Sequence, residues 1–258
     1  MNENSRFFLE PKQHTEFPFL DDQKISSGRL WGMFFGAIII SLVMLLPQMV
    51  LPAKASTFAI VLAQVVQTIV PLILFWLLYK YVGQTSIGKL YKRITVRALG
   101  FGVLMFALST VYALVVGTLL KGQTAANINM TYAAHLPKNQ MVSNYLINEV
   151  VDLFNLMIEE LIAVTAFLAI LALANRYWHL SRNASIWVGL GVSIIVFGII
   201  HFEAYDWHWA QMILLIGMSR LFDTGVYIRT KNIWISYIMH FLWDSILFTM
   251  GLIRNLGA

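Results

Sequence analysis

Long apolar runs separated by short polar or basic stretches make up most of the sequence after residue 28. An apolar run of about 20 residues is long enough for a helix to cross the hydrocarbon core of a bilayer. We predict seven transmembrane helices at residues 30–51, 57–81, 98–120, 142–174, 184–202, 210–228 and 233–253. An eighth helix would arise if residues 121–140 or the N-terminal residues embed in the membrane. The pattern therefore predicts an all-α, polytopic membrane bundle of about seven or eight transmembrane helices.

Composition supports the membrane assignment and excludes several kinds of chemistry. Hydrophobic residues account for 59% of the chain and charged residues for 12%, whereas a soluble domain carries about 25% charged residues. The chain has no cysteine, which excludes disulfides, thiolate nucleophiles and thiolate metal ligands. The formal net charge of +5 requires no nucleic-acid partner, because basic residues are expected in the loops of a membrane protein.

The distribution of basic residues predicts the orientation of the bundle. Residues 1–28 mix charged and polar side chains without the apolar core of a signal peptide, so we interpret them as a cytoplasmic polar tail. Lys89, Lys92, Arg93 and Arg97 are concentrated between the second and third runs. Cytoplasmic loops are enriched in Lys and Arg. We therefore predict an integral membrane protein with a cytoplasmic N-terminus and one transmembrane bundle over residues 29–258.

The fourth apolar run carries ionisable groups that are unusual in a membrane. Asp152, Glu159 and Glu160 all lie within it, and an ionised carboxylate in hydrocarbon is costly and generally functional. Helical spacing places Asp152, Asn155 and Glu159 on one face. Glu160 lies roughly 100° away from Glu159 around the helix, so the two carboxylates are predicted to have different partners.

Two later runs carry histidines at a comparable predicted depth, which suggests a hydrolytic site. His240 and Asp244 are four residues apart and share a helix face, so the carboxylate is predicted to orient the imidazole. In one scheme, His201, His240 and Glu160 bind zinc and leave a position for water. In the other scheme, a glutamate activates water directly while the histidines stabilise an oxyanion. The residues leave both schemes open.

Three motifs in this half of the chain resemble those of the CPBP family of intramembrane proteases, which includes the CAAX prenyl endopeptidases and the bacterial Abi proteins. In order, the motifs are Glu159-Glu160, Phe197-xxx-His201 and His240-xxx-Asp244. The family's corresponding motifs are EExxxR, FxxxH and HxxxN or HxxxD. The resemblance covers residues 142–250. It implies that both glutamates and both histidines are catalytic, with Asp244 at the Asn/Asp position and Phe197 in support.

One position departs from the family pattern. The motif arginine should stand four residues after the second glutamate, but Val164 occupies that position. Arg220 lies in the predicted sixth helix, three residues before Asp223. We consider two interpretations: Arg220 replaces the missing motif arginine, or it pairs locally with Asp223. A supporting role is also assigned to Asn155, on the polar face of the fourth helix.

Two functions follow from these observations. The first is an intramembrane endopeptidase of a bacterial cell membrane that cleaves a membrane-associated peptide or protein, with or without a divalent metal such as zinc. The resemblance suggests peptide maturation, bacteriocin processing or self-immunity. The second is a catalytically impaired scaffold or regulator of a membrane or cell-wall protein, favoured by Val164. A transporter is less favoured, because no repeat symmetry or pair of matching broken helices is present.

Overall fold

A computed structural model describes residues 6–11, 16–20, 25–51 and 56–257 of the protein. These residues form eight α-helices and contain no β-strand. The helices are α1 (Ser27–Val50), α2 (Thr57–Leu77), α3 (Val96–Leu119), α4 (Ile128–Ala134), α5 (Lys138–Arg176), α6 (Arg182–Ile200), α7 (Arg220–Thr230) and α8 (Ile233–Gly257). The predicted all-α helical bundle is therefore confirmed.

Helix α5 is the central element of the bundle. It spans 39 residues and packs against α1, α2, α6 and α8. From Asn155 to Ala174 almost every side chain is buried. Because Glu159 and Glu160 lie near the start of this buried half, their carboxylates face protein groups rather than lipid.

Local sequence signals set the ends of several helices. The Ser26 hydroxyl accepts a hydrogen bond from the backbone N–H of Arg29 at 3.4 Å, and the Ser181 hydroxyl accepts one from Ala184 at 3.3 Å. Such caps satisfy backbone donors that have no partner inside the helix. Pro137 directly precedes α5, where the missing proline N–H costs no helical hydrogen bond.

Within the described residues, six helices are long and apolar enough to cross a membrane by length and composition. They are α1, α2, α3, α5, α6 and α8, and their positions agree with six of the seven predicted runs. Helix α4 has seven residues, which is too short to span a bilayer. The predicted polar stretch therefore contributes a short helix rather than an eighth crossing.

The predicted sixth span at residues 210–228 is helical but broken. It consists of a π-helical segment, Gln211–Ile216, a 3-10 turn, Gly217–Ser219, and then α7. The break coincides with a close approach to α6. A Cβ added to Gly217 would lie 2.6 Å from the carbonyl oxygen of Ile194, and one added to Gly198 would lie 2.5 Å from that of Met212.

The described part of the N-terminal region packs against the bundle. Phe7, Phe17 and Phe19 are each at most 2% exposed, and the rings of Phe17 and Phe167 are 5.7 Å apart in an edge-on arrangement. These residues belong to the same buried core as α1 and α5. The polar composition of residues 1–28 did not predict this packing, and the cytoplasmic placement remains a prediction.

Candidate active site

Glu160 is the most enclosed ionisable group of the site. Its side chain is fully buried, yet both carboxylate oxygens have donors. Arg220 and the Nδ1 atom of His240, at 2.9 Å, donate to Oε1, and the Ser236 hydroxyl donates to Oε2. A buried carboxylate is tolerated only when it is paired in this way. Glu160 therefore joins α5 to α7 and α8.

Arg220 fulfils both interpretations of the sequence. It is fully buried and donates to Glu160 from one nitrogen and to Asp223 from the other. Its guanidinium carbon lies 4.2 Å from the centre of the Phe197 ring, a cation–π distance. Val164 occupies the position of the motif arginine, and a guanidinium from α7 lies next to Glu160 instead. The local pair with Asp223 is also present.

Glu159 faces the two histidines instead. Its Oε2 atom is 3.6 Å from Nε2 of His201 and 3.9 Å from Nε2 of His240. These distances are too long for direct hydrogen bonds and are compatible with a bridging water. This oxygen is buried and has no hydrogen-bond partner among the described residues. The predicted difference between the partners of Glu159 and those of Glu160 is thus observed.

The partners of the histidines indicate their tautomers. Nδ1 of His201 lies 2.8 Å from the carbonyl oxygen of Phe197, and a carbonyl only accepts, so Nδ1 carries the proton. Nδ1 of His240 likewise donates to Glu160, because an ionised carboxylate only accepts. Both Nε2 atoms are consequently left to face Glu159.

Asp244 lies at the edge of this group. Its Oδ2 atom is 3.9 Å from Nε2 of His240, and its side chain is 27% exposed. The sequence predicts that Asp244 orients His240, but the ring donates its direct hydrogen bond to Glu160. The reason is geometric: α7 and α8 carry Arg220 and Ser236 onto Glu160 and hold it within reach of Nδ1.

Asn155, on the predicted polar face of α5, is also buried. Asn155 is 7% exposed, and its Oδ1 atom has no partner among the described residues. Six residues earlier in α5, and outside the predicted face, Glu149 accepts a hydrogen bond from Ser245 of α8 at 2.7 Å. This contact joins the N-terminal half of α5 to α8 away from the histidines.

The arrangement does not fit the zinc site predicted from His201, His240 and Glu160. Among the described residues, no three His, Asp or Glu side chains are placed to hold a metal ion. Glu160 is already engaged by Arg220 and Ser236, and His240 presents Nδ1 to it rather than to a shared ion. A divalent cofactor therefore remains a prediction.

Ser236 and Asp223 complete the site, although sequence reasoning gave them no catalytic or supporting role. Each lies on the same helix face as a predicted site residue: Ser236 is four residues before His240, and Asp223 is three residues after Arg220. Their polarity within apolar surroundings was the available signal. Their shared carboxylate–guanidinium network could not be identified from spacing alone.

Comparison with known proteins gives one family match. Residues 142–246 match the family model described as type II CAAX prenyl endopeptidase Rce1-like. No curated protein and no solved structure shows significant similarity to the chain. The matched segment runs from α5 into α8 and contains all three motifs, in agreement with the CPBP resemblance. Residues 142–246 are thus similar to the Rce1-like type II CAAX prenyl endopeptidase family.

Proposed function

We propose that the protein is an intramembrane endopeptidase in which Glu159 activates the attacking water. The observation that carries this assignment is that the two adjacent carboxylates have different surroundings. Glu160 is held by Arg220 and Ser236, whereas Glu159 points a buried oxygen without a direct partner at two imidazole nitrogens. A general base must be free to accept a proton, and of the two only Glu159 meets that requirement.

The reaction would proceed through a tetrahedral intermediate. Glu159 takes one proton from the water as its oxygen bonds to the scissile carbonyl carbon. The other O–H stays on that oxygen and donates a hydrogen bond to Nε2 of His201. Glu160 stabilises an imidazolium at His240 through Nδ1, so a proton on Nε2 can donate to the oxyanion. The C–N bond then breaks as Glu159 returns its proton to the leaving nitrogen. The products are a carboxylic acid and an amine, and the base is regenerated.

Arg220 supports the proposal because it keeps Glu160 ionised in a buried position. The guanidinium and the Ser236 hydroxyl fix both carboxylate oxygens, and this in turn fixes the ring of His240. In the family motif the arginine comes from the same helix as the glutamates. Here we assign that role to α7, so the presence of Val164 does not by itself imply loss of catalysis.

Substituting the proposed base tests this assignment. Purified protein would be incubated in lipid nanodiscs with membrane-associated peptides, one of them prenylated at a C-terminal CAAX sequence, and the products identified by mass spectrometry. We expect Glu159→Gln to reduce cleavage by at least about 10²-fold, the usual contribution of general acid–base catalysis. Glu149→Gln, the same change on the same helix, serves as the control with cleavage near wild type.

The alternative function is the scaffold or regulator that Val164 favoured. It predicts no cleavage of any peptide by the wild-type protein and a cellular role that survives Glu159→Gln. Retention of full cleavage by Glu159→Gln would instead refute the assignment of the base. Elemental analysis of the purified protein, with and without chelator treatment, would decide between the metal-assisted and metal-free schemes. The products would also show whether peptide maturation, bacteriocin processing or prenylated substrates are involved.

A further inference from the structure

The described N-terminal residues form an element that the proposed reaction does not use. We call residues 6–11 and 16–20 the N-terminal clasp. Three of its phenylalanines are buried, and so is Glu10, which is 5% exposed. A carboxylate is rarely buried so fully without a partner. The clasp is therefore an integrated part of the bundle at the end where α6 and α8 begin.

Glu10 is surrounded by cationic groups. Its carboxylate forms a two-point pair with Arg182, at 2.6 and 2.9 Å, and lies 3.3 Å from the ammonium of Lys231. The side chain of Arg229 donates to the backbone carbonyl of Glu10 at 3.0 Å. The Lys231 ammonium, almost fully buried, also lies 3.0 Å from the centre of the Phe17 ring. One carboxylate thus contacts a cation at the start of α6 and another between α7 and α8.

The positions of these cations connect the clasp to the site. Arg182 is the first residue of α6, which ends next to His201. Arg229 is in the last turn of α7, and Lys231 lies in the two-residue connection between α7 and α8. Helices α7 and α8 carry every side chain that donates to Glu160 among the described residues. The relative placement of these two helices decides whether those donors converge.

The connection between α7 and α8 is held by contacts to two separate parts of the chain. Lys231 adopts a left-handed conformation, with φ of 51°, which is strained for a residue with a side chain. The Asn232 side chain accepts from the backbone N–H of Lys92 and donates to its carbonyl, each at 3.0 Å. The neighbouring Lys231 donates to Glu10 at 3.3 Å. Such strain persists only where surrounding contacts enforce it.

We propose that Glu10 is a positioning residue for the active site. By pairing with Arg182 and Lys231, it fixes the start of α6 and the α7–α8 connection, and through them the three donors to Glu160. The effect on cleavage rests on the proposed function, but the effect on helix placement does not. The two can therefore be measured separately.

The test is Glu10→Gln, which keeps the side-chain shape and removes the charge, in the full-length protein in nanodiscs. Because the chain has no cysteine, spin labels can be attached at Leu180→Cys, before α6, and Trp234→Cys, at the start of α8. Pulsed EPR should show a broader or shifted distance distribution in the variant. We expect kcat to fall by about tenfold or more with KM little changed, since small misplacements of catalytic groups are costly.

Glu16→Gln is the matched control, because Glu16 lies in the same clasp but is exposed. It should leave both the distances and the rate at wild-type values. The proposal is overturned if Glu10→Gln lowers only the melting temperature, with distances and kcat unchanged below it. If the wild type cleaves nothing, the proposed function fails while the distances still test the clasp. If Glu10→Gln does not fold, Arg182→Lys, which keeps the charge and loses the two-point pairing, should give a smaller change in the same direction.

Discussion

Arg220 is the residue whose removal tests the energetics of the site most directly. Its guanidinium is fully buried and pairs with two buried carboxylates, those of Glu160 and Asp223. Arg220→Met keeps an unbranched apolar stem and deletes the charge. Two acidic groups then remain in a low-dielectric interior without their cation.

The expected loss of stability follows from this burial. Removing one partner of a buried ion pair costs about 3–5 kcal/mol, because an uncompensated charge is left behind. For a chain of this size, each kcal/mol corresponds to about 2–4 °C in melting temperature. We therefore expect Arg220→Met to lower the melting temperature by roughly 6–20 °C. The Ser236 hydroxyl and the His240 ring still donate to Glu160, which favours the lower part of this range.

A second variant separates charge from packing. Arg220→Met combined with Glu160→Gln and Asp223→Asn leaves no buried charge in the network, and neutral replacements of buried ion networks are often tolerated. Stability should return towards wild type, whereas cleavage should remain lost because the amide no longer anchors His240 as a carboxylate does.

Thermal unfolding in detergent, followed by tryptophan fluorescence, measures the stability, and the peptide assay measures the cleavage rate. An Arg220→Met protein with wild-type melting temperature and cleavage would refute the reasoning. So would a triple variant as unstable as the single one.

Three further expectations concern the surroundings of the site. Gly198→Ala would place a Cβ 2.5 Å from a backbone oxygen of the segment before α7, so we expect thermal unfolding to show about 1–3 kcal/mol of destabilisation. Gly191→Ala is the control, because a Cβ at that position meets open space. Ser236→Ala removes one buried donor and should cost about 1–3 kcal/mol together with part of the cleavage rate. Burial lowers the pKa of Lys231 from 10.5 to about 7, against the opposing effect of Glu10. Above pH 7 the unfolded chain therefore binds more protons than the folded protein. The free energy of unfolding should then rise towards pH 9, by at most about 1.4 kcal/mol per pH unit. Lys231→Met should flatten that rise in urea unfolding, and an unchanged slope would contradict the assignment.

Much of the fold was predictable because the bilayer permits few backbone solutions. A chain in hydrocarbon must satisfy its own N–H and C=O groups, so a long apolar run indicates a helix. The run at residues 142–174 was recognised in this way and corresponds to the central helix α5. The break at Gly217 was not predictable, because it depends on a close contact with Ile194 of another helix.

The site was predictable where the information is local. Spacing within one helix placed Glu159 and Glu160 on different faces, and the structure gives them different partners. The sequence could not predict which of the two carboxylates lacks a direct hydrogen-bond partner, because that depends on Arg220, 60 residues further along the chain. The clasp was missed because its described pieces of six and five residues are too short to show a periodic pattern, and because Glu10 meets its partners only in the folded chain.

The position of the cation matters more than the helix that supplies it. An arginine one turn after Glu160 would approach the carboxylate along α5, but Val164 at that position is fully buried among apolar side chains. A guanidinium from α7 reaches the same carboxylate with a second carboxylate, that of Asp223, already beside it. Two acids around one buried arginine leave a net negative charge, which favours a positively charged His240. Under the proposed function, this placement of Arg220 would keep Glu160 ionised and favour the imidazolium that would stabilise the oxyanion.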